Sequence, residues 1–127
     1  MGLGRHRKRS LLMLRGEIRL VNLDPVKQGE AVKTRPAVVV SNDVLNANTM
    51  SLQRGVVTVV PITSNVEKIY PFQMKIPRGE SGLRVDSKAQ AEQIRAVAVS
   101  RIGKRIGRLS SELQEELDIA LRLHLNL

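Results

Sequence analysis

The 127-residue sequence predicts a small, mainly β domain with a C-terminal α-helix. Three observations carry this reading. Val38-Val39-Val40 is a β-branched run entered through Pro36, and Gly55–Ile62 is a second apolar run, Val56-Val57-Thr58-Val59-Val60, bounded by glycine and a polar cluster. β-branched residues pack well on a pleated surface, and punctuation by Gly, Pro and Asn marks strand ends. At the other end, Leu113, Leu117, Ala120, Leu121 and His124 recur at helical spacing, and Ser111 with Gln114 has the spacing of a capping box. Hydrophobic content of 42% over this length suits one domain with one core.

The elements follow in order. Glu17–Leu23 alternates apolar Ile18 and Leu20 with more polar neighbours and reads as a first strand, stopped by Asp24-Pro25. Val26–Thr34 is a polar loop containing Gly29. Pro36–Ser41 is the second strand; Pro36 lacks an N–H and belongs at its first residue, which puts Arg35 at the loop–strand junction. Asn42-Asp43 can cap a short helical turn running through Asn48. Gly55–Ile62 is the third strand, ending in Thr63-Ser64-Asn65, and Tyr70–Ile76 the fourth, with Phe72, Met74 and Ile76 alternating. Pro77–Gly82 is a turn. Val85–Ala98 is ambiguous, because Ala89, Gln90, Ala91, Glu92 and Gln93 favour helix by propensity. The last element is the helix, with His124 expected at the rim of its apolar face.

Charge narrows the function. Lys and Arg number 21 against 12 Asp and Glu, a net +9, which favours an anionic partner, most often nucleic acid. Arg5, Arg7, Lys8 and Arg9 supply four of those charges, and residues 1–12 read as a basic, disordered extension ahead of a single domain spanning 13–127. Aromatic residues are only Tyr70 and Phe72, so base stacking is a minor resource and phosphate contacts must carry affinity. There is no cysteine, and His6 and His124 are the only histidines, which argues against disulfides and thiolate or histidine metal sites. No apolar run approaches the roughly 20 residues of a membrane span, and the N-terminus lacks a secretory pattern, so a cytoplasmic protein is expected.

Five segments occur in an informative order: Arg15-Gly16-Glu17-Ile18-Arg19-Leu20-Val21-Asn22-Leu23-Asp24-Pro25, Lys33-Thr34-Arg35-Pro36-Ala37-Val38-Val39-Val40-Ser41, Val59-Val60-Pro61-Ile62-Thr63-Ser64-Asn65, Val85-Asp86-Ser87-Lys88-Ala89-Gln90-Ala91-Glu92-Gln93-Ile94-Arg95 and Ile106-Gly107-Arg108-Leu109-Ser110. In this order, over roughly Met13–Leu127, the set closely resembles the MazF/PemK (Kid) family of toxin–antitoxin endoribonucleases. The resemblance implies an SH3-like barrel of the CcdB/MazF type with a C-terminal helix, a homodimer, cleavage of single-stranded mRNA or rRNA without metal or other cofactor, and a cognate antitoxin with an acidic C-terminal segment. It also implies that Val85–Ala98 forms paired strands. A non-enzymatic gyrase poison of the same fold, like CcdB, is the alternative function.

Cleavage without metal needs a base for the 2′-OH, stabilisation of the charged phosphorane and an acid for the leaving 5′-oxygen. Taken by itself, Arg35 is a surface arginine beside a core strand and Thr63 a strand-end residue capping its own turn. The resemblance makes Arg35 the clamp on the scissile phosphate and Thr63 a hydroxyl donor to it. Arg84-Val85-Asp86 matches an Arg-x-Asp of the Kid branch that is implicated as acid and base; along a strand both side chains would share a face, where Asp86 either accepts the 2′-OH proton or pairs with Arg84. Glu30 can replace or assist Asp86, although Gly29 stands where the Kid branch has a histidine. Ser64 and Asn65 follow Thr63 as substrate-binding residues, Gln93 is read as a base or ribose reader and Arg95 as a phosphate contact. Arg19 stands where the family often has a tryptophan.

Overall fold

A computed structural model describes residues 12–23 and 34–127. Among them the chain runs β1 (Glu17–Asn22), β2 (Thr34–Val39), α1 (Asp43–Leu52), β3 (Val56–Thr63), β4 (Gln73–Ile76), β5 (Ser87–Gln90), a 3-10 turn (Ala91–Gln93), β6 (Arg95–Ala98), a second 3-10 turn (Val99–Arg101), β7 (Ile102–Arg108) and α2 (Ser111–Leu125). Every strand pair is antiparallel; the order across the sheet is β4-β5-β3-β2-β1-β7, with β6 on the same edge of β3 as β5. No helix of the described residues is long and apolar enough to cross a membrane.

Alternation along these strands feeds two separate cores. Ile18, Val38, Val60, Ile62, Met74, Ile76, Ala89 and Ala91 point to one face and are covered by Leu113, Leu117, Ala120 and Leu121 of α2. Val21, Ala37, Val39, Val57, Val59, Val97 and Val99 point to the other and pack with Met13, Met50 of α1 and Ile102 of β7. Since β1, β2, β3, β6 and β7 all contribute to the second cluster, the sheet curls around it. Arg95 and Arg101 tie the curl shut by donating to the carbonyls of Leu23 and Asn22 at the end of β1.

Several boundaries differ from those the sequence predicts. β2 begins at Thr34, two residues before Pro36. The reason is pairing: β1 pairs with β2 from Thr34 onward, whereas β3 joins β2 only at Ala37, so the missing N–H of Pro36 falls outside the β3 ladder. Pro61 is accommodated similarly, in the gap where β3 stops pairing with β6 at Val59 and starts pairing with β5 at Ile62. The helix after Asn42 extends to Leu52 and is capped as expected, with Asn42 Oδ1 accepting from the Leu45 N–H. Buried Asn46 fastens it to the sheet: its Nδ2 donates to the Ser41 carbonyl, and its Oδ1 accepts from Ser41 Oγ, which in turn accepts from the Thr58 N–H. From Ser87 to Ala98 the segment is paired strand as the resemblance implies, interrupted by a 3-10 turn, while Val85 and Asp86 precede it in a bend. β7, in contrast, was not predicted; its burial is low throughout, so its sequence shows no apolar alternation, and its pairing with β1 is irregular.

The N-cap of α2 is Ser110, not Ser111: its Oγ accepts from the Leu113 N–H, while Gln114 donates forward to Asp118 and does not reach back to close a capping box. His124 continues the line of the buried stripe into the last turn, where it is exposed. Arg19 uses the place of the family tryptophan for a polar clamp. It pairs with the carboxylate of Glu17, itself 2% exposed, and also donates to the carbonyls of Gly103 and Leu12. The 77–82 turn presses backbone to backbone on β7: a Cβ on Gly82 would lie 2.0 Å from the Ile106 carbonyl oxygen, and one on Gly107 would lie 1.8 Å from that of Ser81. Only glycine fits at both points. Residues 1–11 and the 24–33 segment, which holds Gly29, Glu30 and most of the expected polar loop, lie outside the described residues.

Candidate functional site

The site grows out of the strand register. β2 and β3 pair Val39 with Val59, Val38 with Val60 and Ala37 with Pro61. Carried two residues on, that register sets Arg35 at the level of Thr63. On its other edge Thr63 pairs directly with Lys88 of β5, and Lys88 pairs with Lys75 of β4. Strands lie about 5 Å apart and cross-strand partners share a face. Arg35, Thr63, Lys88 and Lys75 therefore form a row on one face of the sheet, backed by Ile62, Ala89 and Met74 in the core on the other. This row continues the face that buries Ala37, Val39, Val57 and Val59, so it stands where the inner core gives way to solvent.

Thr63 Oγ1 accepts a hydrogen bond from the Asn65 N–H at 3.2 Å, and Asn65 Oδ1 accepts from the Glu67 N–H at 3.3 Å. This is the turn-capping role that the isolated residue suggests, and it leaves the Thr63 O–H free to donate. Ser64 and Asn65 are exposed in that turn. Beyond it lies a cavity of about 530 Å³ lined by Asn65, Glu67, Lys68, Tyr70 and Lys88. The two aromatic rings stand at this end of the sheet: Tyr70 stacks on Phe72 with centroids 5.3 Å apart, and the Lys68 ammonium lies 4.8 Å from the Tyr70 centroid. The Tyr70 N–H donates to Gln73 Oε1, and Gln73 Nε2 donates to Glu92 Oε2 at 2.6 Å.

Arg84 and Asp86 do not share a strand face. Both lie exposed in the bend before β5, because Gly82 and Ser81 turn the chain with positive φ and the strand begins only at Ser87. Asp86 Oδ1 accepts from the Arg78 N–H at 2.7 Å, and no ion pair joins it to Arg84. Gln93 is exposed in the 3-10 turn. Arg95 opens β6 opposite Val59 and reaches the Leu23 carbonyl, at the end of β1 just past the Val21–Arg35 pair. The structure thus brings Arg35 and Thr63 to one row and Arg95 to a neighbouring strand end, and leaves Arg84 and Asp86 in the bend before β5 and Gln93 in the 3-10 turn after it. Glu30 lies outside the described residues. Sequence reasoning missed Lys88, Lys75 and the Gln73–Glu92 pair, which only the β4–β5–β3 register reveals.

The match of residues 14–125 to the model of the "PemK-like, MazF-like toxin of type II toxin-antitoxin system" decides the family. The chain belongs to the PemK/MazF toxins. It is 55% identical to Endoribonuclease MazF9 of Mycobacterium tuberculosis over 116 residues, covering 91% of this chain and 98% of that one. It is 48% identical over 90 residues to Probable endoribonuclease MazF1 of the same organism, covering 69% and 96%. The PemK/MazF architecture is equally plain in space. MazF from Deinococcus radiodurans superposes with a TM-score of 0.70 at 24% identity, covering 91% of this chain and 98% of that one. An endoribonuclease in complex with its cognate antitoxin from a Mycobacterial species gives 0.69 at 19% identity, covering 91% and 96%. The mainly β, SH3-like fold with its C-terminal helix is therefore that of the CcdB/MazF type, and the PemK/MazF relatives of high identity carry endoribonuclease names.

Proposed function

We propose that the chain is a sequence-selective, metal-independent endoribonuclease toxin that cuts single-stranded mRNA or rRNA in the cytoplasm and so halts translation. The observation that carries this reading is the register that aligns Arg35 with Thr63 at the edge of the inner core. A guanidinium fixed on a strand can hold a phosphate in a forked contact, and the free hydroxyl hydrogen of Thr63 can donate to the same group. In the step itself the 2′-oxygen attacks phosphorus and the bond to the 5′-oxygen breaks. The 2′-OH proton passes to a carboxylate, Asp86 or Glu30, and a proton is delivered to the leaving oxygen by Arg84 or Arg35. Arg35 and Thr63 stabilise the charge that develops between these events. The ends are a 2′,3′-cyclic phosphate and a 5′-OH. Ser64, Asn65, Gln93 and Arg95 contact flanking nucleotides. The gyrase-poison alternative draws no support from the relatives, whose names are those of endoribonucleases.

The toxin domain is residues 13–127, with 1–12 as a basic extension. It works as a homodimer whose 26–34 and 62–68 loops line a shared groove, because one small chain offers little surface to grip several nucleotides. A cognate antitoxin silences it through an acidic segment that folds on the basic groove and competes with RNA; a relative of the same fold is known with its antitoxin bound. The deciding experiment is single-turnover cleavage of short RNAs in EDTA, with the new ends identified by mass. Cleavage leaving 2′,3′-cyclic phosphate is expected. Inactivity in EDTA that returns with a divalent metal, or 3′-OH ends, would overturn the mechanism.

A further inference from the structure

Lys88 is a largely buried residue whose part-buried ammonium has no counter-ion among the described residues. The residue is only 7% exposed, and its Nζ makes one hydrogen bond, to the Lys68 carbonyl at 2.6 Å. The ion pairs among the described residues are Arg15–Asp118, Arg19–Glu17 and Arg105–Glu17; none involves Lys88, although Glu67 lines the same cavity. Its direct cross-strand partner is another cation, Lys75. Buried charges are ordinarily paired, and like charges opposite one another on a sheet are destabilising. A fold that keeps both favours negative charge beside them. An ammonium has three donors, so two remain after the carbonyl is satisfied. Thr63 lies next to Lys88 in the ladder, and Arg35 is aligned on the far side of Thr63.

We infer that Lys88 is the second cation of the site: it binds the RNA phosphate held at Thr63, from the side opposite Arg35. This rests on the RNA-cutting reading above and adds a residue to it. The Lys68 carbonyl aims the ammonium, and Lys75 at the strand edge receives the next phosphate along the backbone. The hydrogen bond to Lys68 has an alternative consequence, that Lys88 merely pins the 65–70 loop, and Lys88→Gln separates the two. Glutamine can still donate to that carbonyl but carries no charge.

The test uses the full chain and an RNA that the wild-type protein cuts, together with the same RNA made uncleavable by a 2′-deoxy group at the cut. Cleavage by Lys88→Gln is expected to fall about 10- to 100-fold. Its affinity for the uncleavable RNA should depend less steeply on salt, with the log–log slope smaller by about 0.7, the contribution of one phosphate contact to a single strand. Lys88→Arg should keep the wild-type slope. Melting should be unchanged or raised in Lys88→Gln, since an unpaired, part-buried charge is gone. Equal rate and equal slope for Lys88→Gln and wild type would overturn the inference while leaving the nuclease reading intact. So would loss of folding in Lys88→Gln with Lys88→Arg folded but wild-type in neither rate nor slope. A wild-type protein that cuts no RNA would sink the nuclease reading first and this inference with it.

Discussion

Arg35 is held by the pairing of β2 with β1, so its guanidinium is presented from a fixed backbone. Arg35→Ala should lower single-turnover cleavage by about 10²- to 10³-fold, on the order of 3–4 kcal/mol of barrier, the usual effect of losing one preorganised donor. Arg35→Lys should remain poor, because an ammonium cannot reproduce a forked contact. Melting should move little in either variant, since the side chain is exposed and both cores are untouched. Near-normal cleavage by folded Arg35→Ala would remove the centre of the mechanism. Thr63→Ala should lose less. Asp86→Asn and Glu30→Gln, compared side by side, report which carboxylate takes the proton.

α2 closes the outer core, and Leu117, fully buried, sits at its centre. Leu117→Ala should cost about 3 kcal/mol by urea denaturation, as cavity-forming substitutions of this kind do. The same helix is anchored to the strands by Arg15, which pairs with Asp118 at 2.8 Å while its Nε donates to the Val40 carbonyl. Burial raises the Asp118 carboxyl, but hydrogen bonds from Arg15 and Gln114 and the charges of Arg15 and Arg122 outweigh it and hold it below the ordinary carboxylate value. A carboxyl lowered in the folded state contributes stability above its unfolded value near 4, and loses it as pH falls through the folded one. Asp118→Asn should therefore melt lower than wild type at pH 7, by no more than about 1 kcal/mol for a partly exposed pair, and the two curves should converge below pH 4. An offset that does not shrink as pH falls below 4 would refute the charge origin. Elements with an apolar rhythm were legible in the sequence: β1, the valine strands and the buried stripe of α2. β7 was not, because its apolar residues, Ile102 and Ile106, are only partly buried and show no alternation, and neither was Lys88, whose neighbours come from strands distant in sequence. That Arg84 and Asp86 precede a strand instead of lying on it was not legible for a related reason: the 77–82 turn, with Gly79 and Gly82 at positive φ, delays β5, and no local propensity marks where a strand begins.

The whole molecule is basic, with a net charge of +9, and its binding to RNA should weaken steeply with salt. Light scattering at micromolar concentration should return a mass near twice the 14.1 kDa of one chain; a monomer that retains full cleavage would contradict the shared groove. The way the sheet is closed has a consequence for synthesis. β1 pairs with β7, Glu17 facing Arg108, and the outer core lacks its cover until α2 follows. The first strand thus waits for the last, the inner core lacks its β7 wall until Ile102 has been made, and the outer core lacks its cover until α2 has. Such long-range closure is slow compared with local folding. A nuclease built this way acquires its cutting edge only after β7 and α2 have been made, so the site forms late in the making of each copy.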